Sequence, residues 1–130
     1  MTLVLTAARK LAVLGLCATP FLAPLPAVAD DDAPGAELFI TVEPRSGGEY
    51  ARTLTCDPPG GLHPRPEEAC EVLREVDGHV EDLDADPGPC PMIWDPVTVD
   101  IGGHWHGEDV SFHHEFSNNC VAERKFGPVI

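Results

Sequence analysis

Three sets of residues in this sequence have the types and spacing to do chemistry. Cys56, Cys70, Cys90 and Cys120 can form covalent bridges, and His104, His106, His113 and His114 can take up protons or a metal. The third set is the stretch Pro89-Cys90-Pro91-Met92-Ile93-Trp94-Asp95-Pro96. Its three prolines fix φ, remove backbone donors and push the residue before each of them towards an extended shape. Cys90 offers a covalent tie in the middle of the stretch, and Met92, Ile93 and Trp94 put three large apolar side chains between Pro91 and Asp95. A short, stiff, exposed loop of this kind can hold an extended peptide out towards a partner's cleft.

The histidines suggest zinc, since His104 and His106 fall on one face of a strand and His113-His114 lie on the next one. Structural or surface histidine is the favoured reading: His113 and His114 point to opposite faces, and no acid is clearly placed to join them. Acidic runs such as Glu81-Asp82-Leu83-Asp84 lack the glycine and ligand spacing of a calcium loop. Neither a metal nor any other cofactor is therefore expected. The sequence contains no G-x-S-x-G, no H-E-x-x-H and no glycine-rich phosphate loop, and Ser46, Ser111 and Ser117 have no visible base. An enzyme is not expected.

The compartment decides how the cysteines are used. Arg9 and Lys10 precede an apolar run from Leu11 towards Leu25, and Ala27-Val28-Ala29 has the form of an export cleavage site. Pro20, Pro24 and Pro26 break that run well short of the roughly 20 residues needed to span a membrane. Met1–Ala29 is read as a secretory signal peptide and Asp30–Ile130 as one secreted, extracellular domain with a modest core. Removing Arg9 and Lys10 from the 8 basic residues leaves six against 22 acidic ones, a formal charge of −16. Such a surface repels nucleic acid and anionic membrane, so neither is expected as a partner. Cys17 belongs to the signal segment, which leaves four cysteines for two disulfides. Three connectivities are open at this point. Sequential pairing would close loops of about 15 and 30 residues, each worth roughly 3–4 kcal/mol in the chain-entropy model.

The elements that must position these residues alternate along the chain. Leu38, Ile40 and Val42 alternate with polar neighbours as a half-buried strand, Pro44 to Gly48 form a turn, and Tyr50 to Cys56 form a second strand that completes a hairpin. Asp57 to Gly61 read as a loop. Ala69, Leu73 and Val76 then fall at helical spacing, with Pro64 and Pro66 ahead of them, Glu67 and Glu68 in the first turn and Gly78 at the end. This predicts a helix over Pro66–Asp77, with Cys70 on its inner side. Gly78 to Pro96 have no sustained period, and so long an irregular stretch in a compact domain points to function. Val97 to Trp105 read as a strand, Gly107-Glu108-Asp109 as a turn, and Val110, Phe112, His114 and Phe116 as one face of a last strong strand. Ser117-Asn118-Asn119 can cap a short helical turn carrying Cys120. Phe126–Ile130 would add an edge strand, a reading that Pro128 weakens. The fold class is α+β, mostly antiparallel sheet with one clear helix.

On specific motifs the sequence resembles the Streptomyces subtilisin inhibitor family. They are Leu54-Thr55-Cys56-Asp57-Pro58, His63-Pro64, Ala69-Cys70-x-x-Leu73, Cys90-Pro91-Met92-Ile93-Trp94-Asp95-Pro96-Val97, Trp105-x-Gly107 and Phe116-Ser117-Asn118-Asn119-Cys120. The resemblance covers nearly all of the exported domain. It implies the pairs Cys56–Cys70 and Cys90–Cys120, and a five-stranded antiparallel sheet with two helices, one long and one short. It also implies a homodimer joined through sheet faces, whose partner is a subtilisin-like, and to some extent a chymotrypsin-like, serine protease. The implied reactive bond is Met92–Ile93, with Met92 as the P1 residue. Pro89, Cys90, Pro91, Trp94 and Asp95 then form the contact loop, and Asn118 matches a position close under it.

The chain departs from the family pattern in several places. Pro89 stands at P4, where a larger apolar side chain fills a subtilisin S4 pocket better. The first disulfide loop is one residue short, the tail after Cys120 is also short, and the histidines near Trp105 and Phe112 are additions. The rival reading from another class is a secreted, acidic binding module that loads metal through its histidines.

Overall fold

A computed structural model describes residues 23–25 and 33–130 of the chain. The expected export signal and the acidic run Asp30-Asp31-Asp32 lie outside the described residues, apart from 23–25. No helix among the described residues is long and apolar enough to cross a membrane.

The sheet is built on β1 (Ala36–Pro44), where Ala36, Leu38, Ile40 and Val42 are fully buried and Glu37, Phe39, Thr41 and Glu43 face the other way. Period-two alternation of this kind puts one face in the core. β2 (Tyr50–Cys56) pairs with one edge of β1, from Val42 opposite Tyr50 to Ala36 opposite Cys56. β4 (Val97–Trp105) pairs with the other edge, and β5 (Glu108–Phe116) follows it as a hairpin. The fifth strand is β3, only Gly60–Gly61, lying against Leu54 and Thr55 of β2. The order is β3-β2-β1-β4-β5, antiparallel throughout.

Two helices cover the apolar face. α1 (Pro66–Glu75) buries Ala69, Cys70 and Leu73, and α2 (Asn119–Phe126) buries Ala122 and Phe126. These residues join the inner faces of β1, β2, β4 and β5 in one core. Each fully buried Leu, Ile, Val or Phe there contributes on the order of 1.5–3 kcal/mol. No buried side-chain nitrogen or oxygen among the described residues lacks a hydrogen-bond partner.

Three local readings are corrected by the structure. The helix over Pro66–Asp77 ends earlier, at Glu75, because Asp77 takes a left-handed conformation (φ 51°). The N–H of Gly78 then bonds to Leu73 O and that of Asp77 to Arg74 O, which caps the last carbonyls. The same turn frees the Asp77 carboxylate to accept from Trp105 Nε1 at 3.2 Å. The turn into β5 is His106-Gly107, both at positive φ (45° and 85°), rather than Gly107-Glu108-Asp109. Positive φ at both central residues is what a two-residue hairpin with right-handed twist requires.

The C-terminal residues form no edge strand. Gly127–Val129 make a 3-10 turn after α2, and Val129 and Ile130 are buried. Pro128 has no N–H to give a ladder, and the carbonyl of Val129 is taken by His63 Nε2 at 3.0 Å. The fifth strand comes instead from Gly60–Gly61, within the segment that read as a loop.

Candidate functional site

The irregular stretch between α1 and β4 starts in the core and ends in solvent. Val80, in a 3-10 turn over Val80–Asp82, and Leu83 are buried, whereas the residues from Asp84 to Asp95 are exposed apart from the half-buried Cys90. Met92 has a relative exposure of 104%, Ile93 61% and Trp94 67%. Three adjacent large apolar side chains held in water point to a partner that covers them. Pro96 is buried, and the chain enters β4 at Val97.

Four ties keep this loop in shape. Cys90 is bridged to Cys120 in the first turn of α2, with Cα atoms 5.8 Å apart. Asp95 N donates to Ser117 O at 2.9 Å, and Pro96 O accepts from Arg45 N at 2.9 Å. The fourth tie is Asn118, buried at 8% exposure beneath the loop. Its Nδ2 donates to Pro91 O at 3.0 Å and to Ile93 O at 2.9 Å, one carbonyl on each side of Met92. Its Oδ1 accepts from Val121 N at 3.1 Å and caps α2. An amide carries both donors and an acceptor, so one side chain fixes the helix start and the loop together. Pro89, Cys90, Pro91, Met92, Ile93, Trp94, Asp95, Asn118 and Cys120 therefore come together in one place.

Cys56 and Cys70, also disulfide-bonded, sit in the core far along the chain from this loop and staple the end of β2 to α1. Beside them Asp57 accepts from Arg74 Nε at 3.0 Å and lies 2.8 Å from His106 Nε2. The Arg74 hydrogen bond, with a smaller one from His106, holds the Asp57 carboxyl below its ordinary range. His63 is also held below its ordinary value, by burial of the imidazole and against the bond to Val129 O, which for a base favours the neutral form.

The histidines do not converge. His106 follows β4 and reaches Asp57, His113 Nδ1 lies 2.5 Å from Asp100 Oδ1 on the open face, and His114 packs edge-on against Phe116. Among the described residues no three His, Cys, Asp or Glu side chains are grouped to hold a metal.

Three contacts were not legible in the sequence, two at the loop and one away from it. The backbone bond from Asp95 to Ser117 leaves no trace in residue type, and neither does the one from Arg45 to Pro96. The bond from His63 to Val129 spans 66 positions, and only the oddity of a histidine beside a proline-rich helix start marks it.

The chain matches a family model described as subtilisin inhibitor-like over residues 35–118. It is 43% identical over 107 residues to subtilisin inhibitor-like protein 5 of Streptomyces fradiae, covering 75% of this chain and 96% of that one. It is 43% identical over 74 residues to the subtilisin inhibitor of Streptomyces albogriseolus, covering 55% of this chain and 51% of that one. Among solved structures, Streptomyces caespitosus sermetstatin in complex with Bacillus licheniformis subtilisin is similar, with a TM-score of 0.56 and 35% identity. That match covers 72% of this chain and 96% of that one.

Proposed function

The chain belongs to the subtilisin inhibitor-like family, and from that premise we propose that it is a secreted inhibitor of subtilisin-like serine proteases with Met92–Ile93 as its reactive bond. The observation that carries the reading is the bracketing of Met92. The side chain stands free in solvent while Asn118 holds the carbonyls on either side of it.

The mechanism follows from what a protease needs. Its cleft takes an extended peptide, and a flexible one loses conformational freedom on binding, is cleaved and departs. A loop already held in that shape avoids much of the ordering cost and binds tightly. When the protease serine attacks the Met92 carbonyl, the bond to Ile93 N breaks, giving an acyl-enzyme and a free amine on Ile93. Both fragments remain tied. Cys90–Cys120 retains the acyl side, and Asn118 to Ile93 O, Asp95 to Ser117 O and the entry into β4 retain the amine side. The amine therefore stays near the acyl carbon, and religation competes with hydrolysis.

Met92 sets the protease class. A long, uncharged, flexible side chain suits a broad apolar S1 site and lacks the cation that a trypsin-like S1 aspartate pairs with. Pro89, exposed at P4, offers little to a subtilisin S4 pocket. The A-x-A signal at Ala27-Val28-Ala29 and the two disulfides support export, since disulfides persist in oxidising compartments. The open sheet face, where Phe39 is 56% exposed, supports a homodimer through that face.

Titration of the purified domain into subtilisin, followed by sequencing of any clipped product, tests the proposal. Stoichiometric loss of protease activity with slow cleavage after Met92 supports it. Rapid digestion without inhibition, or cleavage at another bond, overturns it.

A further inference from the structure

The ties described above act at Cys90 or beyond it. The segment leading to Cys90 is held separately, by the other end of α2. The N–H groups of Ala85 and Asp86 donate to the carbonyls of Lys125 at 3.0 Å and Arg124 at 2.9 Å. Carbonyls in the last turn of a helix lack partners within it, so the approaching segment supplies donors that the helix end needs. Both cations of that turn reach the same segment. Arg124 Nη1 lies 2.6 Å from Asp86 Oδ2 and 3.4 Å from Asp86 O, and Lys125 Nζ donates to Glu81 O at 2.6 Å and Leu83 O at 3.0 Å.

Glycines make the close approach possible. A Cβ on Gly88 would stand 3.1 Å from Arg124 Cζ and Nη1, so the backbone there lies against the guanidinium. A Cβ on Gly127 would come within 2.8 Å of the Ala85 Cβ. Between Asp86 and Cys90 only Pro87, Gly88 and Pro89 intervene, and two of these have a fixed φ.

We propose that Arg124 is a positioning residue for the reactive loop: it clamps the approach at Asp86 and Gly88 and gives the acyl side, already tied at Cys90–Cys120 and at Pro91 O, a further point of attachment to α2 upstream of the bridge. The proposal rests on the inhibitor reading above. Cys90–Cys120 and the Asn118 bond to Pro91 O hold the chain at the bridge and just past it, whereas a contact a few residues upstream also fixes the direction from which it arrives. Asn118, Cys120 and Arg124 then refer the loop's centre, its bridge and its approach to one short rigid helix. The 124–86 ion pair alone, with side chains 37% and 69% exposed, would contribute little. Its weight comes from acting together with the backbone bonds and the packing on Gly88.

The test uses the full disulfide-bonded protein carrying Arg124→Ala, Arg124→Lys, or Arg124→Ala combined with Asp86→Asn. Cleavage after Met92 in the subtilisin complex and hydrogen exchange at the Ala85 and Asp86 amides are both followed. Arg124→Ala is expected to be cleaved about three- to ten-fold faster than wild type at low salt. The gap should narrow near 1 M salt, where screening shortens to about 3 Å. Arg124→Lys, which keeps the charge and loses the planar fork, should fall between them. Adding Asp86→Asn should change nothing further, because the pair is already broken. Wild-type cleavage and wild-type exchange in Arg124→Ala overturn the clamp while leaving the inhibitor reading intact. If wild type fails to inhibit subtilisin, the inhibitor reading falls and takes the clamp's purpose with it.

Discussion

Each disulfide fastens a helix to a neighbouring segment, yet the two regions they organise differ. Cys56–Cys70 joins β2 to α1 with both cysteines fully buried, across 14 positions. Cys90–Cys120 joins an exposed loop to α2 with both cysteines half-buried, across 30 positions. The chain-entropy gain is similar, about 3 and 3.5 kcal/mol. What differs is the native structure around each bridge. The first is surrounded by core and by the polar ties of Asp57, Arg74 and His63, while the second is surrounded by groups that hold one peptide bond in solvent. On the proposed reading, the first region serves stability alone and the second serves inhibition as well.

The largest expected effect sharpens this division. Met92→Lys places a cation where a trypsin-like S1 aspartate can pair with it, worth roughly 2–5 kcal/mol or about 30-fold and upwards. Trypsin inhibition constants should improve by at least that factor while the melting temperature stays put, because the side chain touches solvent only. Unchanged trypsin inhibition would show that Met92 is not P1.

Removing the bridges comes next. Cys56→Ala with Cys70→Ala should cost about 3 kcal/mol, or a fall in Tm of roughly 10–20 °C for a domain this size, with inhibition per folded molecule retained. Cys90→Ser with Cys120→Ser should lower Tm comparably and also turn the protein from an inhibitor into a substrate of subtilisin. Thermal melts beside active-site titrations read both. Equal loss of inhibition from the two pairs would erase the difference between the two regions.

Asn118 separates cap from brace within the second region. Asn118→Asp keeps an acceptor for Val121 N and loses both donors to Pro91 and Ile93. Cleavage after Met92 should rise about ten-fold, from donors worth roughly 1–1.5 kcal/mol, with α2 intact by circular dichroism. A cleavage rate equal to wild type would remove Asn118 from the brace.

The smallest effect belongs to the first region and is read by pH. Burial holds the His63 imidazole below its ordinary value, so the neutral ring favours folding. That contribution is complete above the ordinary pKa near 6.5 and is lost as pH falls below it through the folded value. Asp57 is held below the ordinary carboxyl range, so its contribution persists until pH falls below about 4. Between about pH 6.5 and 4.5 the two separate. Tm should decline across that window and decline less in His63→Gln, with inhibition at neutral pH unaffected. Parallel pH profiles would exclude His63.

Much of this was legible because side chains advertised it. The alternation in β1 and β4, the helical spacing of Ala69 and Leu73 and the prolines of the loop are all patterns of residue type. The contributions of main-chain geometry were not legible. Gly60–Gly61 pair as a strand although glycine carries no side chain and so no period; at Gly61 a Cβ would stand 2.3 Å from Thr53 O. His106 turns the hairpin at positive φ, a conformation its type does not announce, and its ring then finds Asp57. The loop's composition was plain in the sequence. Its bracing by Ser117, a carbonyl like any other, was not.

The forked donation from Asn118 also makes the molecule report on itself. Its two Nδ2 protons are committed to different carbonyls, Pro91 O and Ile93 O, on opposite sides of one peptide bond. In a nitrogen–proton correlation spectrum this side chain should give a widely split, exchange-protected pair of signals. The component bonded to Ile93 would move when Met92–Ile93 is cut and return when it reseals, which places a label for the intact bond inside the native sequence.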